Sequence, residues 1–260
     1  MRNPVAVLRD TEQYGVDHRN PFNLTPLMMA VRAGNPELAE TLLNSGADLT
    51  LTGSDGLTAW HTVLWQTVCD ARFARQKCAD LYPLVCPSSM AVQTDGSLKV
   101  IDRHHPTFFL LNLMTALFYS QLGEALSAWS AYTAKDLADN CQCFPDSILP
   151  AYRQRQRYIS SLLSRHEAGR DAPGNWRLFL RLSHGKYIIN PQLHLRCGGK
   201  WVAIYELLGL PELGFDIRKM DFLTDTGFLE YYGIDVQEMA EDHQNAIDVQ
   251  MMEAFENIKP

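Results

Sequence analysis

Residues 23–48 read NLTPLMMAVRAGNPELAETLLNSGAD, and residues 55–61 read DGLTAWH. Thr25 and Thr58 hold the same place in the two stretches and are 33 residues apart. A unit that recurs at this period predicts an array of helical pairs. Each pair must pack on its neighbours, because it cannot bury its apolar face alone.

The first stretch predicts two helices separated by a tight turn. Thr25 can cap the first helix through its side-chain oxygen, and Pro26 suits the first helical position because its missing N–H has no partner there anyway. Gly34 permits the turn, and Gly46 ends the second helix. The apolar face of the second helix is formed by Leu38, Leu42 and Leu43.

Residues 23–65 resemble ankyrin repeats, whose signature is Thr-Pro-Leu-His-x-Ala. The first unit has Met28 where the family usually has histidine, whereas the second keeps His61 but has Ala59 and Trp60 in place of Pro-Leu. Trp60 holds the place of a core leucine of the family, so we expect it in the core. The resemblance implies a degenerate unit at about 1–20, repeats at about 21–52 and 53–88, and later divergent units.

We therefore predict a mostly α fold, in which ankyrin-type stacked helical hairpins carry a β-hairpin insertion. A small α+β module with an acidic C-terminal helix follows. The predicted domains are 1–145 and 146–260. Asp95-Gly96 is a strong turn signal and predicts the hairpin over 90–101. Other predicted elements are helices over 66–82, 108–122, 124–140, 205–210 and 235–257, a loop over 83–89, and a second hairpin that turns at Gly198-Gly199.

The charges are distributed unevenly along the chain, whose net charge is -7. Residues 151–200 contain ten Lys or Arg and two acids, whereas residues 201–260 contain thirteen acids and three bases. Two interpretations stay open at this point. The basic segment and the acidic tail either pack together or lie in solvent, or the basic segment forms a site for an anionic partner.

No enzyme motif is present in the sequence, which has no P-loop, no G-x-S-x-G and no G-x-G-x-x-G. We therefore predict a protein that is not an enzyme and that uses no cofactor and no metal. His104 and His105 lie beside Asp102, but neighbouring residues on an extended segment point to opposite faces. Because Pro106 follows, a loop or helix-cap role is expected for them. The spacing of Cys141 and Cys143 is unlike that of zinc sites, so ordinary thiols are expected.

The sequence predicts a cytoplasmic protein without membrane contact. Residues 1–10 carry charges and lack the apolar run of a secretory signal. The longest apolar stretch, 108–119, is shorter than the roughly 20 residues of a membrane span.

The ankyrin resemblance implies where a partner protein would bind, because the family usually binds partners with its hairpin tips and the inner faces of its first helices. Trp65 either takes part in binding, since tryptophan is enriched at binding hot spots, or packs on the following helix. The implied partner-binding residues are Phe22, Asn23, Arg32, Leu51, Ser54, Trp65 and Gln66.

The function predicted from this resemblance is non-enzymatic binding of another protein. Neutralisation, as by an immunity protein or antitoxin, and scaffolding, as by an adaptor, are both consistent with it. The acidity of the chain would suit a basic partner.

The alternative function is that of a nucleic-acid-binding regulator that uses residues 151–200. Residues 178–188, LFLRLSHGKYI, resemble the wing region of some winged-helix domains, and the resemblance extends over about 159–197. Basic side chains of this segment could meet phosphates. They are Arg153, Arg155, Arg157, Arg165, Arg177, Arg181 and Lys186.

Overall fold

The computed structural model describes residues 4–122, 131–197 and 199–209. Helices contain more residues of this structure than strands do, but the sheets are more extensive than the predicted hairpins. The fold is therefore mixed α and β. The acidic helix predicted over 235–257 lies outside the described residues.

Eleven helices lie in the described part of the chain. They are α1 (Pro4–Tyr14), α2 (Pro26–Arg32), α3 (Pro36–Asn44), α4 (Ala59–Cys69), α5 (Ala71–Gln76), α6 (Cys78–Val85), α7 (Pro106–Ala116), α8 (Phe118–Leu122), α9 (Ala134–Cys141), α10 (Gln156–Arg165) and α11 (Ile204–Leu207).

Seven strands lie in the same ranges and form two antiparallel sheets. One sheet has four strands in the order β2-β1-β6-β7, and the other has three in the order β3-β5-β4. The strands are β1 (Ser89–Thr94), β2 (Ser97–Asp102), β3 (Tyr132–Thr133), β4 (Phe179–Ser183), β5 (Lys186–Ile189), β6 (His194–Cys197) and β7 (Lys200–Ala203).

The first helical pair begins and ends as its sequence predicts. The side chain of Thr25 accepts a hydrogen bond from the backbone N–H of Met28, and that of Asn35 accepts one from Leu38, which caps α2 and α3. Gly34 and Gly46 end the two helices with φ of 65° and 91°, a left-handed conformation that disfavours other residues.

The helix predicted over 66–82 is broken into parts of α4, α5 and α6. Asp70 is extended, with φ -130° and ψ 101°, and its side chain accepts hydrogen bonds from the N–H groups of Arg72 and Phe73. It ends one helix and caps the next, because an Asp side chain satisfies the free N–H groups of a first turn. The predicted loop at 83–89 is also wrong at its start, since α6 continues through Pro83 to Val85.

The helices pack in series. Helix α2 lies against α3 and α4, α4 lies against α7, and α3 lies against α6. Trp60 is buried between them, and its ring stacks on that of Phe108 with 5.0 Å between centroids. The prediction that Trp60 belongs to the core is confirmed.

Three helices, α2, α4 and α7, begin at related positions along the chain. Thr25, Thr58 and His105 precede α2, α4 and α7, and each caps its helix with a side-chain atom. His105 comes 47 residues after Thr58, which is 14 more than the first interval. The hairpin of β1 and β2 spans 14 residues, 89–102, and accounts for this difference. Of the loop or helix-cap role predicted for His104 and His105, the cap is formed by His105.

The insertion is the hairpin that the Asp95-Gly96 dipeptide predicts. Thr94 pairs with Ser97, which leaves a two-residue turn. Asp95 and Gly96 both have positive φ, 47° and 71°. That is the conformation of a type I′ turn, which matches the twist of the strands.

Both sheets contain strands from each side of residue 145. In one, Val92 of β1 pairs with Leu195 of β6. In the other, Tyr132 of β3 pairs with Tyr187 of β5. The division into 1–145 and 146–260 stays a prediction, but the described residues on its two sides share both sheets.

The elements after residue 122 agree with the sequence in part. Residues 124–130 of the helix predicted over 124–140 lie outside the described residues. Of the rest, Tyr132 and Thr133 form a strand instead, and α9 occupies 134–141. Thr133 explains the start of α9, because its side chain accepts a hydrogen bond from Asp136 N–H while the Asp136 carboxylate accepts one from Thr133 N–H. The second hairpin is confirmed as β6 and β7.

A chain of hydrogen bonds crosses the core between α4 and α7. Thr58 N–H donates to His61 Nδ1 at 3.2 Å, so His61 Nε2 carries the ring proton and donates to Asn112 Oδ1 at 2.9 Å. Asn112 Nδ2 in turn donates to the carbonyl of Phe108 at 2.7 Å. Burial lowers the pKa of His61 to about 4, against opposing contributions from Asn112 and Asp55. The ring is therefore neutral in the fold.

Because the folded pKa of His61 lies below its ordinary value of about 6.5, its contribution to stability is complete above that pH and declines as the pH falls toward 4. Between pH 7 and pH 5 the free energy of unfolding should decrease by about 2 kcal/mol through this ring, since the unfolded chain binds a proton that the folded chain does not. Urea denaturation of wild type and His61→Gln at both pH values would measure the difference.

The glutamine keeps hydrogen-bonding groups but does not titrate. Between pH 7 and pH 5, the free energy of unfolding of His61→Gln should therefore decrease by about 2 kcal/mol less than that of wild type. The buried ring of His166, whose pKa burial also lowers to about 4, contributes to the decline in both proteins. His184→Gln, at an exposed position, serves as the control and should behave as wild type. An unchanged decline in His61→Gln would contradict this account.

The last described residues pass close to the second repeat. Gly56 has φ 71°, and a Cβ built on it would collide with the backbone carbonyl of Leu207. The Tyr119 hydroxyl donates to the carbonyl of the next residue, Leu208. Glycine is therefore required at position 56 for two reasons, namely its backbone conformation and the close approach of the segment at Leu207.

Gly56→Ala should lower the free energy of unfolding by about 2 to 4 kcal/mol, because it adds steric overlap to the left-handed strain. Gly46→Ala is the matched control, since Gly46 has φ 91° but no atom within 4 Å of a built Cβ. Gly46→Ala should lower the free energy of unfolding by only about 1 kcal/mol. Equal losses in chemical denaturation would show that the Leu207 contact contributes nothing.

Candidate protein-binding surface

Two loops repeat the same hydrogen bonds at an offset of 33 residues. In loop A, residues 20–24, Asn20 N–H donates to Leu24 O at 3.1 Å. In loop B, residues 53–57, Gly53 N–H donates to Leu57 O at 2.9 Å. The two repeats thus share loop geometry as well as sequence.

The sharp bend of each loop lies at its fourth residue. Asn23 in loop A and Gly56 in loop B have φ of 58° and 71°, and each donates its N–H to the carbonyl three residues earlier. Asparagine is among the few residues other than glycine that adopt this conformation readily. The prediction that Asn23 lies at a hairpin tip therefore has a structural reason.

Arg19 connects the two units. Its Nη1 donates to the carbonyl of Asn23 at 2.7 Å and to that of Thr52 at 2.6 Å. Sequence reasoning did not find Arg19, because no local pattern indicates a contact across 33 residues. Its effect is to hold loop A and the approach to loop B at a fixed spacing.

The loops expose one large apolar side chain. Phe22, at the tip of loop A, is 78% exposed. The Asn20 side chain accepts hydrogen bonds from the N–H groups of Phe22 and Leu24, which fixes the backbone beneath the ring. At loop B, Ser54 is exposed, whereas Leu51 is half-buried before the loop. Phe22 is thus the main apolar contact that the loops can offer.

Arg32 and Trp65 are equivalent positions on α2 and α4, 33 residues apart, and both are exposed. Gln66 Nε2 donates to the carbonyl of Arg32 at 3.1 Å. Trp65 Nε1 donates to Ser120 Oγ of α8 at 2.9 Å, while 39% of the residue stays exposed. Trp65 thus contacts a following helix, as one of the two interpretations predicted, whereas its part in binding stays a prediction.

Met29 was missed by sequence reasoning. It is 40% exposed and lies one turn before Arg32 on α2, so the two side chains share a face. The spacing alone could have found it, because Arg32 was already expected on the inner face.

The charges of this surface are mixed. Arg32 carries a positive charge, and Asp55 at loop B carries a negative one, with its Oδ1 accepting a hydrogen bond from Leu57 N–H. We call the set Phe22, Met29, Arg32, Trp65 and Gln66, with the two loop tips, the inner surface. It combines exposed apolar side chains with charges of both signs.

The basic residues of the alternative function lie on separate elements. Arg153, Arg155 and Arg157 lie before and at the start of α10, and Arg165 ends it. Arg181 lies on β4, with its guanidinium 5.9 Å from the centre of the Tyr187 ring, and Lys186 lies on β5.

Arg177 is engaged elsewhere, since its Nη1 lies 2.6 Å from Asp95 Oδ2 of the hairpin turn. The seven basic residues therefore do not form a single continuous patch of free charges. The winged-helix resemblance stays a prediction.

In residues 4–122, 131–197 and 199–209, no three His, Cys, Asp or Glu side chains are grouped so that they could hold a metal ion. Within the same ranges, no helix combines the length and the apolar character needed to cross a membrane. All six cysteines are free thiols.

A family model described as ankyrin repeats (many copies) matches residues 12–62. No curated protein and no solved structure matches the chain. The matched segment contains loop A, loop B, α2, α3 and the beginning of α4. The resemblance predicted from residues 23–65 is thus confirmed for a segment, and residues 12–62 carry ankyrin repeats.

Proposed function

We propose that this protein acts by binding another protein through the inner surface, without catalysing a reaction. Ankyrin repeats generally mediate protein–protein interactions, and the matched segment contains both loops of this surface. The observation that carries the proposal is the exposure of Phe22, Met29 and Trp65 on it. Large apolar residues exposed together are characteristic of interaction sites.

The inner surface is also held in shape before any partner arrives. Arg19 fixes the loops, and Gln66 and Trp65 are oriented by hydrogen bonds to α2 and α8. A surface that is already ordered loses little conformational entropy when it binds. This supports binding by the repeats as they stand in the structure.

We further propose that the helical pairs form an ankyrin-type stack that extends beyond the matched segment. Its pairs would be α2 with α3, α4 with α6, α7 with α8, and α9 with α10. The serial packing of α2, α4 and α7 supports this arrangement, as does the helix cap that precedes each of them.

The partner is proposed to be basic, because the chain has a net charge of -7 and complementary charge accelerates association. A neutralising role, as in an immunity protein or antitoxin, and an adaptor role both fit such a partner. We place this activity in the cytoplasm.

The division of the chain into domains 1–145 and 146–260 remains part of the proposal.

Replacing Phe22 and Trp65 together with alanine should weaken partner binding about 30-fold or more, as expected for two apolar hot-spot residues. Capture of the tagged protein from its native cells, with and without nuclease, would identify a candidate partner. Titration of the purified partner against wild type and variant would then measure the dissociation constants.

Leu98→Ala with Val100→Ala is the matched control, since both residues are large, apolar and exposed, but lie on β2. This variant should bind the partner as wild type does. Thermal unfolding would check that the paired variants keep the fold. Equal weakening in both variants, or binding that disappears with nuclease, would contradict the assignment to the inner surface.

The alternative, a nucleic-acid-binding regulator, depends on residues 151–200. Because those basic residues lie on separate elements, only part of them can form one site. The cluster on α10 is the part whose geometry supports such a site.

A further inference from the structure

One side of α10 and the turn before it combine arginines with aromatic rings. The rings of Tyr152 and Tyr158 are 5.7 Å apart and nearly perpendicular, at 87°. Arg153 Nε donates to the Tyr152 hydroxyl at 3.0 Å, and its guanidinium carbon lies 5.7 Å from the centre of that ring. Arg153 Nη1 also donates to the carbonyl of His104 at 3.4 Å, which ties the turn to the residues before α7.

Arg165 extends this cluster along the helix. It follows Tyr158 by seven residues, which is about two helical turns, so both side chains leave the same side of α10. Burial raises the pKa of Tyr158, and the charges of Arg153 and Arg165 oppose that rise, as expected if both guanidinium groups lie near the ring. We call Tyr152, Arg153, Tyr158 and Arg165 the α10 surface.

The adjoining side of α10 faces the core. Ile159, Leu162 and Leu163 are buried there. Within the α10 surface, Arg153 and Tyr158 are half-buried, whereas Tyr152 and Arg165 are open to a ligand. Tyr152 is 51% exposed, and Arg165 is exposed as well.

The positive charge of the α10 surface is not neutralised by the described residues. The ion pairs found in residues 4–122, 131–197 and 199–209 join Lys135 with Asp139 and Arg177 with Asp95, and neither involves Arg153 or Arg165. The positive region continues beyond this surface, because Arg155 and Arg157 are also exposed.

A cleft adjoins the turn before α10. Its volume is about 330 Å³, and its lining includes Arg155, the amide side chains of Gln142, Gln154 and Gln156, and the ion pair of Lys135 with Asp139. Cations and amides together can bind phosphate oxygens and base edges. The cleft therefore offers a polar continuation of the basic region.

We propose that the α10 surface binds single-stranded nucleic acid, with the arginines on phosphates and Tyr152 stacked against a base. Single strands expose the faces of their bases, and aromatic side chains beside a basic track are the usual means of binding them. A duplex hides those faces, so Tyr152 would have no role on it. An acidic peptide would meet the charges but has no bases to stack on the ring.

This inference is independent of the inner surface, because it involves α10 and the preceding turn rather than α2, α4 and their loops. Of the basic segment 151–200, only α10 and the turn before it belong to the proposed nucleic-acid site. Arg177, which is paired with Asp95, and the residues on β4 and β5 are not required.

The test is titration of the full-length protein into a fluorescein-labelled twelve-nucleotide oligo(dT) and oligo(U), followed by fluorescence anisotropy at several salt concentrations. Tyr152→Leu keeps an apolar side chain but removes the ring, and should weaken binding about tenfold. Arg165→Ala should weaken binding and make the slope of log affinity against log salt shallower by about 0.7, the value for one phosphate contact on a single strand.

Two controls match these changes in chemistry. Tyr14→Leu alters an exposed tyrosine of α1, and Arg196→Ala removes an exposed arginine of β6. Both variants should bind the oligonucleotides as wild type does. Circular dichroism of all four variants would verify that the helices are retained.

Three results would overturn the proposal. The first is the absence of oligonucleotide binding by the full-length protein at 50 mM salt. The second is equal affinity for single strand and duplex together with no effect of Tyr152→Leu, which would indicate attraction by charge alone. The third is equal binding of a labelled polyglutamate peptide with the same dependence on Tyr152, which would assign the surface to acidic proteins.

Discussion

The hydrogen bond between His61 and Asn112 is the constraint on which the arrangement of the helices depends. Both side chains are buried, so each needs the other, and the loss of one would leave a polar group without a partner. The same amide reaches Met90 of β1 through its nitrogen, with 3.1 Å to the sulfur. One residue of α7 therefore sets the position of α4 and of the inserted hairpin. The orientation of α4 in turn decides where Trp65 meets Ser120.

The two proposed surfaces are prepared in different ways. On the inner surface, the backbone is held by repeated loop hydrogen bonds and by Arg19, so that Phe22 projects from a fixed tip. On α10, order comes from side chains, because Arg153 orients Tyr152 and is itself tied to the carbonyl of His104. Rigid backbone favours a partner of defined shape, whereas stacked side chains tolerate many sequences of one chemical type.

The sequence predicts those features that short-range chemistry determines. Thr25 and Pro26 start a helix, Asp95-Gly96 makes a hairpin, and the 33-residue period gives the repeats, because each depends on neighbours along the chain. Contacts between residues far apart in the sequence are not indicated by any local sequence pattern. The bond from Arg19 to Thr52 and the pairing of β3 with β5 could not be predicted for that reason.

The inner surface illustrates the same limit, since Arg32 and Trp65 followed from the repeat, whereas the bond from Trp65 to Ser120 required the structure.

The pairing of β1 with β6 has a consequence for how the protein is made. Val92 and Leu195 are 103 residues apart, so the edge of the inserted hairpin has no partner until the ribosome has passed the second hairpin. A repeat array can normally gain order unit by unit as it emerges, because each unit contacts only its neighbours. Here, a nascent chain that stopped after α9 would expose an unpaired strand edge, which favours association with other chains. Because of the insertion, the later strands must be synthesised before the edge of the first hairpin is protected from association with other chains.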